Sequence, residues 1–172
     1  MPYIQEWIES SFIRETLKAH RITSETPTVT GNFVDCSGFT VIDAESSGDA
    51  VTMNADNKTI EISRDGIYSL SGCFHFQNNS GSNISLQVGL RLVKNPGTED
   101  VEMKCSQRYV GFDQQDGGEN NLEYNATDYL EAGDTVRLQY YVNSTDVEFY
   151  SSNIFDNPVA YTLIANWEGV KS

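Results

Sequence analysis

The sequence predicts an all-β protein, an antiparallel sandwich preceded by one amphipathic helix. Beyond Pro27 the apolar residues recur with a period of two, which places alternate side chains on one face of a strand. Turn-forming residues separate these segments at nearly even intervals, which is typical of a sandwich or barrel and not of a parallel sheet with crossover helices. Because 172 residues are enough for one core, we expect a helical docking or trimerisation segment, residues 1–26, and one β domain, residues 27–172.

The pattern of residues 3 to about 22 predicts the helix. Its apolar side chains recur at spacings of three, four and five residues, with charged residues between them. A helix of this length is marginal in water, so its apolar face needs a cover. The cover is either its own β domain, two further helices of a trimer or a larger assembly. The candidate docking residues are Trp7, Ile8, Phe12 and Leu17.

The helix is expected to end in the segment TSETPT, residues 23–28, because a proline disfavours the helical conformation of the residue before it. Seven segments beyond this point are rich in β-branched and aromatic residues and are bounded by turn formers, which predicts strands. The predicted strands are residues 58–63, 67–77, 84–94, 101–112, 122–130, 135–143 and 159–168.

The longest strands predict the core, because apolar side chains occupy every second position in them. The predicted core residues are Tyr68, Leu70, Phe74, Phe76, Ile84, Leu86, Val88, Leu90, Leu92, Val136, Leu138, Tyr140 and Val142. Tyr141 follows Tyr140 directly and therefore faces outward, where a neighbouring subunit is expected to cover it. Tyr141 is thus the candidate for a trimer interface.

The charge balance excludes some classes of partner. The chain carries 25 acidic and 11 basic residues, a net charge of −14. Nucleic acid is not expected as a partner, because phosphate binding needs cationic surface. The acidity indicates solubility and mutual repulsion between copies displayed at high density. No apolar run is long enough to cross a membrane, and the first residues do not resemble a secretory signal, so synthesis in a reducing cytosol is expected.

The residues that usually carry catalysis are sparse, which predicts a protein that is not an enzyme and has no cofactor. His20 and His75 are the two histidines, and no phosphate-binding loop, nucleophile elbow or paired zinc histidines occur. Cys36, Cys73 and Cys105 are expected to be buried free thiols. A surface-polysaccharide hydrolase is a weaker alternative, and calcium is a minor possibility without the spacing of a twelve-residue loop. Both rest on the acidic pairs Asp43 with Glu45, Glu99 with Asp100 and Asp113 with Asp116.

Several segments together resemble one superfamily. They are TIEISRDGIYSLSGCFHF at 59–76, LQVGLRLVKNPGTE at 86–99, NLEYNATDYLEAGDTVRLQYYV at 121–142 and the closing VAYTLIANWE. Their order and spacing resemble the globular head of the first complement component and its tumour-necrosis-factor-like (TNF-like) relatives. In the Gly-Asp turn, Gly133 is expected to take a positive φ, and Asp134 to accept bonds from nearby amides. The resemblance implies an antiparallel jelly-roll sandwich that packs as a homotrimer and recognises partners through loops and outer faces.

Such heads also occur on bacteriophage tail fibres, head fibres and capsid decoration proteins. The chain resembles those cases, since it has no collagen-like repeat. We therefore expect a non-enzymatic trimer on the virion surface that decorates or cements a phage capsid, with the major capsid protein or another virion protein as partner. The alternative is the receptor-binding head of a tail or head fibre that recognises host glycan or protein. Its candidate loop residues are Asn78, Asn79, Asn83, Asp113, Gln115 and Asp116.

Overall fold

The structure is a computed structural model that describes residues 15–97, 101–103, 108–114, 118–150 and 160–169. These residues form thirteen strands and one short 3-10 turn at Asp43–Glu45. The strands are β1 (Glu15–Arg21), β2 (Phe33–Asp35), β3 (Thr40–Val41), β4 (Val51–Met53), β5 (Thr59–Ile62), β6 (Gly66–Asn78), β7 (Ile84–Lys94), β8 (Val101–Glu102), β9 (Arg108–Gln114), β10 (Glu119–Leu130), β11 (Thr135–Val142), β12 (Val147–Phe149) and β13 (Tyr161–Trp167).

The strands form two antiparallel sheets that pack face to face. The first sheet has the order β10-β6-β13-β1-β3, and β12 also pairs with β6. The second sheet has the order β4-β5-β11-β7-β8, with β2 paired to β11 and β9 paired to β7. The antiparallel sandwich predicted from the alternating pattern is confirmed, and so is the jelly roll that the resemblance implied.

Each of the seven predicted strands coincides with strands of the structure, and the segment 101–112 divides into β8 and β9. The sequence pattern missed β2, β3, β4 and β12, which have two or three residues each. So short a segment shows no alternation, and it becomes a strand only because a longer neighbour supplies its hydrogen bonds.

The helix prediction is wrong for residues 15–21, which form β1. This strand pairs with β13 along its whole length, from Glu15 opposite Trp167 to Arg21 opposite Tyr161. A marginal helix gains less than a strand that completes a sheet and buries apolar side chains, so tertiary pairing overrides the local pattern. Residues 1–14, with the rest of the predicted helix, lie outside the described residues. In the described part of the chain no helix is long and apolar enough to cross a bilayer.

The predicted core is confirmed. Twelve of its thirteen residues are buried between the sheets, and Ile84 packs against them while partly exposed. Phe74 lies at the centre, with its ring stacked on Tyr161 at a centroid distance of 4.6 Å and edge-on to Phe149 at 5.5 Å. β1 contributes Leu17, 3% exposed, to the same core. Leu17 is therefore a core residue and not a docking residue, which corrects the prediction made for it.

The sandwich has two distinct ends, because β6 runs along its length. The 13 residues of β6 span roughly 40 Å at about 3.3 Å per residue. Glu15 lies at the end where β6 starts, since it pairs with Trp167, which in turn pairs with Tyr68. We call this the proximal end. The distal end, where β6 finishes, carries the loops at residues 78–83 and 143–146, which we call the distal loops.

Candidate functional site

The proximal end fixes Glu15, the first described residue, through an ion pair and backbone bonds. Its carboxylate accepts hydrogen bonds from the amides of Asp49 and Ala50, both at 2.7 Å, and from Arg64 Nη1 at 2.5 Å. Arg64 also binds the Asp49 carboxylate and lies 5.7 Å from the centroid of the Trp167 ring. The first described strand therefore begins at a residue whose carboxylate is bound by three donors.

The environment of the Glu15 carboxylate determines its protonation. Burial by itself raises the pKa of Glu15, but the amides of Ala50 and Asp49 and the Arg64 guanidinium outweigh it and hold the pKa below its ordinary value. Gly48 is required beside it, because a Cβ there would lie 2.1 Å from Glu15 Oε2. We name Glu15, Gly48, Asp49 and Arg64 the proximal clamp.

The Gly-Asp turn of the sequence also lies at the proximal end. Gly133 has a φ of 94°, and Asp134 Oδ2 accepts bonds from the Glu131 amide at 2.8 Å and from Lys94 Nζ at 2.6 Å. Asp134 Oδ1 accepts from Asn95 Nδ2 at 2.9 Å. Burial raises the pKa of Asp134, but these donors outweigh it and lower the pKa. The Gly-Asp motif that carried the resemblance thus has a structural role: Asp134 joins its own turn to the turn that follows β7.

The distal loops bring together segments that the sequence suggested for binding. The Asn78 amide donates to the Gly118 carbonyl at 3.0 Å, and the Asn79 amide donates to the Asp146 carbonyl at 2.7 Å. Asn79 and Asn83 are exposed, as a binding role requires. Gln115 and Asp116 lie outside the described residues. Asp113 lies in β9, but the position of its side chain is not among those described.

Asn78 is a correction to the predicted binding loop, because it is fully buried. Its Nδ2 donates to the Ser82 carbonyl at 2.8 Å, and its Oδ1 accepts from the Ser80 amide at 3.0 Å. A side chain used in this way closes the loop from inside. It leaves recognition to the exposed neighbours.

The outer face of the second sheet carries a cluster that the sequence only partly indicated. Tyr141 faces away from the core as predicted, and its ring centroid lies 5.8 Å from that of Phe33 on β2. Arg91 on β7 places its guanidinium 4.1 Å from the Phe33 centroid. Phe33 of the same chain thus accounts for part of the cover of Tyr141. The trimer-interface role of Tyr141 stays a prediction.

A chain of polar contacts extends this cluster across the sheet. Arg91 Nε donates to Gln139 Oε1 at 2.8 Å, and Gln139 Nε2 donates to Asp35 Oδ1 at 2.9 Å. Asp35 Oδ2 accepts from Arg137 Nη1 at 2.7 Å, and Arg137 Nε donates to Thr59 Oγ1 at 2.9 Å. We name Phe33, Arg91, Gln139 and Tyr141 the aromatic face. Alternation in β11 predicted the outward position of Tyr141. Arg91 was not predicted, although alternation in β7 was a signal that could have placed it outward, and the three-residue strand that brings Phe33 to them gave no signal.

The described residues that could support hydrolysis or metal binding are few. No group of three or more His, Cys, Asp or Glu side chains with metal-binding geometry occurs among the residues that the structure describes. Glu45 is engaged by Lys18 at 2.7 Å. Cys36 is buried, and burial raises the pKa of its thiol, whereas Cys73 is partly exposed. Glu99, Asp100, Cys105 and Asp116 lie outside the described residues.

The fold is similar to that of solved TNF-type jelly rolls. A crystal structure of murine APRIL at pH 5.0 aligns with a TM-score of 0.58 over 90% of this chain and 98% of its own length, at 10% sequence identity. The structure of Eiger TNF from S. frugiperda aligns with a TM-score of 0.56 over 92% of this chain and 95% of its own, at 9% identity. No model of a protein family matches the sequence, and no curated protein matches it. The chain therefore has a TNF-like fold.

Proposed function

We propose that this chain is a non-enzymatic homotrimer on a virion surface, where it decorates or cements a phage capsid as a head decoration protein or head fibre. The observation that carries the proposal is the two-ended layout. Residues 1–14 join the sandwich at the proximal end, while the exposed distal loops lie about 40 Å away. A protein that must be attached at one end and present a surface at the other needs this arrangement.

The way β1 is held supports attachment through the segment before it. β1 pairs with β13 over seven residues and with β3 at Ala19 and His20, and the proximal clamp fixes Glu15 at its start. A pull on residues 1–14 therefore acts along a strand that is bonded on both sides. Within that segment, Trp7, Ile8 and Phe12 are the proposed docking residues, and the major capsid protein or another virion protein is the proposed partner.

The TNF-like fold supports a homotrimer, since the superfamily that the sequence resembles packs about a threefold axis. A closed threefold plug suits an icosahedral or pseudo-hexameric lattice. The net charge of −14 suits display of many copies in water without aggregation. The same resemblance includes phage decoration proteins and fibre heads, which supports the virion setting.

A truncation tests the attachment role. Removal of residues 1–13 leaves Glu15 and all of β1 in place, so the sandwich should keep its β-sheet circular dichroism and its trimer mass by light scattering. Binding of the truncated protein to particles that lack the chain should be abolished, and Trp7→Ala with Phe12→Ala should weaken it strongly. A cut at residue 25 is unsuitable, because it removes β1 from the first sheet. Undiminished binding of the truncated protein would refute the docking role.

The second candidate function is the head of a tail or head fibre that binds host glycan or protein. The observation that favours it is the exposure of Asn79 and Asn83 at the distal end, together with the aromatic face on the second sheet. Adsorption of the purified protein to host cells, in the absence of particles, would favour this role over cementing. Polysaccharide hydrolysis stays the weaker prediction: Glu45 is bound to Lys18, and Glu99, Asp100 and Asp116, on which it also depends, lie outside the described residues.

A further inference from the structure

We propose that the aromatic face of the second sheet binds a carboxylate-bearing saccharide, with Arg91 as the residue that receives the carboxylate. This inference rests on the second proposed function, host recognition, and names the class of ligand and the surface that would carry it. Phe33, Arg91 and Tyr141 are partly exposed and form that surface, while Gln139, which is 8% exposed, holds Arg91 in place.

The ion pairs of the chain set Arg91 apart. Six of the lysines and arginines whose side chains the structure describes lie within 4.0 Å of a carboxylate, namely Lys18, Arg21, Lys58, Arg64, Lys94 and Arg137. Arg91 is the seventh lysine or arginine whose side chain is described, and it has no carboxylate within 4.0 Å, although the chain carries 25 acidic residues. Its described contacts are the neutral Gln139 amide and the Phe33 ring. The positive charge of Arg91 is therefore not neutralised within the chain, and it can pair with the carboxylate of a ligand.

The geometry of Arg91 suits a carboxylate in particular. A guanidinium carries five N–H donors, and the Gln139 bond at 2.8 Å uses the one on Nε. Paired N–H donors of a guanidinium bind a carboxylate in a bidentate manner, which gives the strongest hydrogen bonds available to an arginine. The Phe33 ring at 4.1 Å fixes the plane of the guanidinium on one side. Arg91 is therefore oriented before a ligand arrives.

The two aromatic rings supply the apolar part of the surface. Phe33 and Tyr141 are neighbours across β2 and β11, with centroids 5.8 Å apart and ring planes inclined by 48°. Both are partly exposed on the outer face of the sheet. The inference requires this face to stay open in the trimer, so it replaces the trimer-interface role predicted for Tyr141. Partly exposed rings of this kind pack against the C–H surface of a sugar, while polar groups around them fix its hydroxyls.

Polar groups with both donor and acceptor character surround the rings. Gln139 binds Arg91, Asp35 binds Gln139, and Arg137 binds Asp35. These successive hydrogen bonds restrict the motion of all four side chains. Gln87 and Asn143 are exposed at the distal edge of the same face, and Asn143 Oδ1 accepts from the Gln87 amide at 2.7 Å. A preorganised set of this kind loses little conformational freedom when a ligand binds. Sugar hydroxyls need donors and acceptors side by side, and this surface has both.

The sheet topology favours a saccharide over an acidic peptide. β11 is paired on both sides here, by β2 and β7, and β7 is paired by β11 and β9. The backbones of β7 and β11 therefore cannot take an extended peptide as an added strand. Among the described strands, the unpaired edge next to the rings is that of β2, which has three residues and is short for such pairing. A dense polyanion is disfavoured by the net charge of −14, but at physiological salt charges beyond about 8 Å are largely screened. An isolated sugar carboxylate thus responds mainly to Arg91.

The test uses the full-length protein and an array of saccharides. The array carries oligosaccharides with uronic or sialic acid and the same scaffolds with neutral hexoses, and titration calorimetry follows for the best binder. We expect acidic members to bind and their neutral counterparts to bind at least tenfold more weakly. Arg91→Gln should reduce affinity roughly 10- to 100-fold, the loss typical of a charge-assisted hydrogen bond, and Tyr141→Ala should reduce it about tenfold. Arg91→Lys should recover only part of the affinity, because lysine keeps the charge but not the planar pair of donors.

Tyr129→Ala is the matched control, because Tyr129 is an aromatic residue 45% exposed on the other sheet. It should bind like the unsubstituted protein, and circular dichroism should show all variants folded. No binding to any acidic saccharide, equal binding to neutral scaffolds, or an equal loss in Tyr129→Ala would each overturn the inference. Adsorption to host cells is measured in parallel. Adsorption to cells without saccharide binding would support host recognition but contradict this ligand class. No adsorption of the unsubstituted protein to cells would contradict host recognition itself.

Discussion

The proximal clamp and the distal loops hold their chain segments by different chemistry. At the proximal end, Glu15 is bound by Arg64 and two backbone amides, and the nearby Asp134 is bound by Lys94. In the distal loops, the described side-chain bonds of Asn78 and Asn143 join neutral amides to backbone groups, and none of the described residues there forms an ion pair. The difference teaches that the end that carries residues 1–14 depends on ion pairs. The described distal loops are instead held by neutral amides and by the bond from Ser144 Oγ to the Asp146 carboxylate at 2.7 Å.

A pair of glycine substitutions gives the largest contrast. Gly48 and Gly81 have nearly the same backbone conformation, with φ of 75° and 73°, but a Cβ meets the Glu15 carboxylate only at Gly48. Gly81→Ala should cost about 1 kcal/mol for the left-handed conformation. Gly48→Ala should cost about 3–4 kcal/mol, because it also displaces the buried carboxylate from its partners. Urea unfolding measures both, and equal costs would show that the clamp contributes nothing.

Acid should affect the two ends unequally. The pKa values of Glu15 and Asp134 are lowered in the folded protein, so their stabilisation is present at neutral pH and is lost as the pH falls through those lowered pKa values. Glu15→Gln should cost about 2 kcal/mol at pH 7 and progressively less as the pH falls below about 4. Unfolding free energies across that range check the convergence. A constant difference would mean that the charge of Glu15 is not what matters.

Asn78→Ala should weaken the distal loops by about 1–2 kcal/mol, because it leaves the Ser82 carbonyl and the Ser80 amide without their buried partner. Unlike the change at Glu15, this cost should be the same at pH 4 and pH 7, since the described partners of Asn78 are backbone groups that do not ionise. Amide hydrogen exchange should locate the effect to residues 78–83. Faster exchange at the proximal clamp instead would contradict the separation of the two ends.

The smallest effect is expected from salt. Arg64 is 46% exposed and the Asp49 carboxylate 74%, so their ion pair is screened by dissolved ions. Raising the NaCl concentration from 0.1 to 1 M should remove roughly 0.5 kcal/mol from the proximal end and nothing from the distal loops. Comparing Arg64→Gln with the unsubstituted protein at both salt concentrations isolates this contribution. The two proteins should differ in their salt dependence by about this amount, since the net charge of −14 and the other ion pairs respond to salt in both.

The sequence predicted the parts of the fold whose pattern is local and long. β6, β7 and β11 follow from alternation over eight or more residues. β1 could not be predicted, because its partner β13 lies about 150 residues away and the apolar residues before it have helical spacing. The site followed the same rule. Alternation placed Tyr141 outside, but Phe33 and the proximal clamp depend on contacts between distant segments, such as Arg64 with Glu15 across 49 positions.

Because Glu15 pairs with Trp167, the start of β1 and the end of β13 lie side by side at the proximal end. A fluorescent protein fused after residue 169 would therefore sit beside the segment proposed to attach to the particle and would crowd it. A peptide epitope inserted at Gly81, where nothing lies within 4 Å of an added Cβ, would instead emerge on the opposite side. Gly81 is thus a suitable position for inserting a peptide that is to be displayed, because it lies at the end opposite the proposed attachment segment.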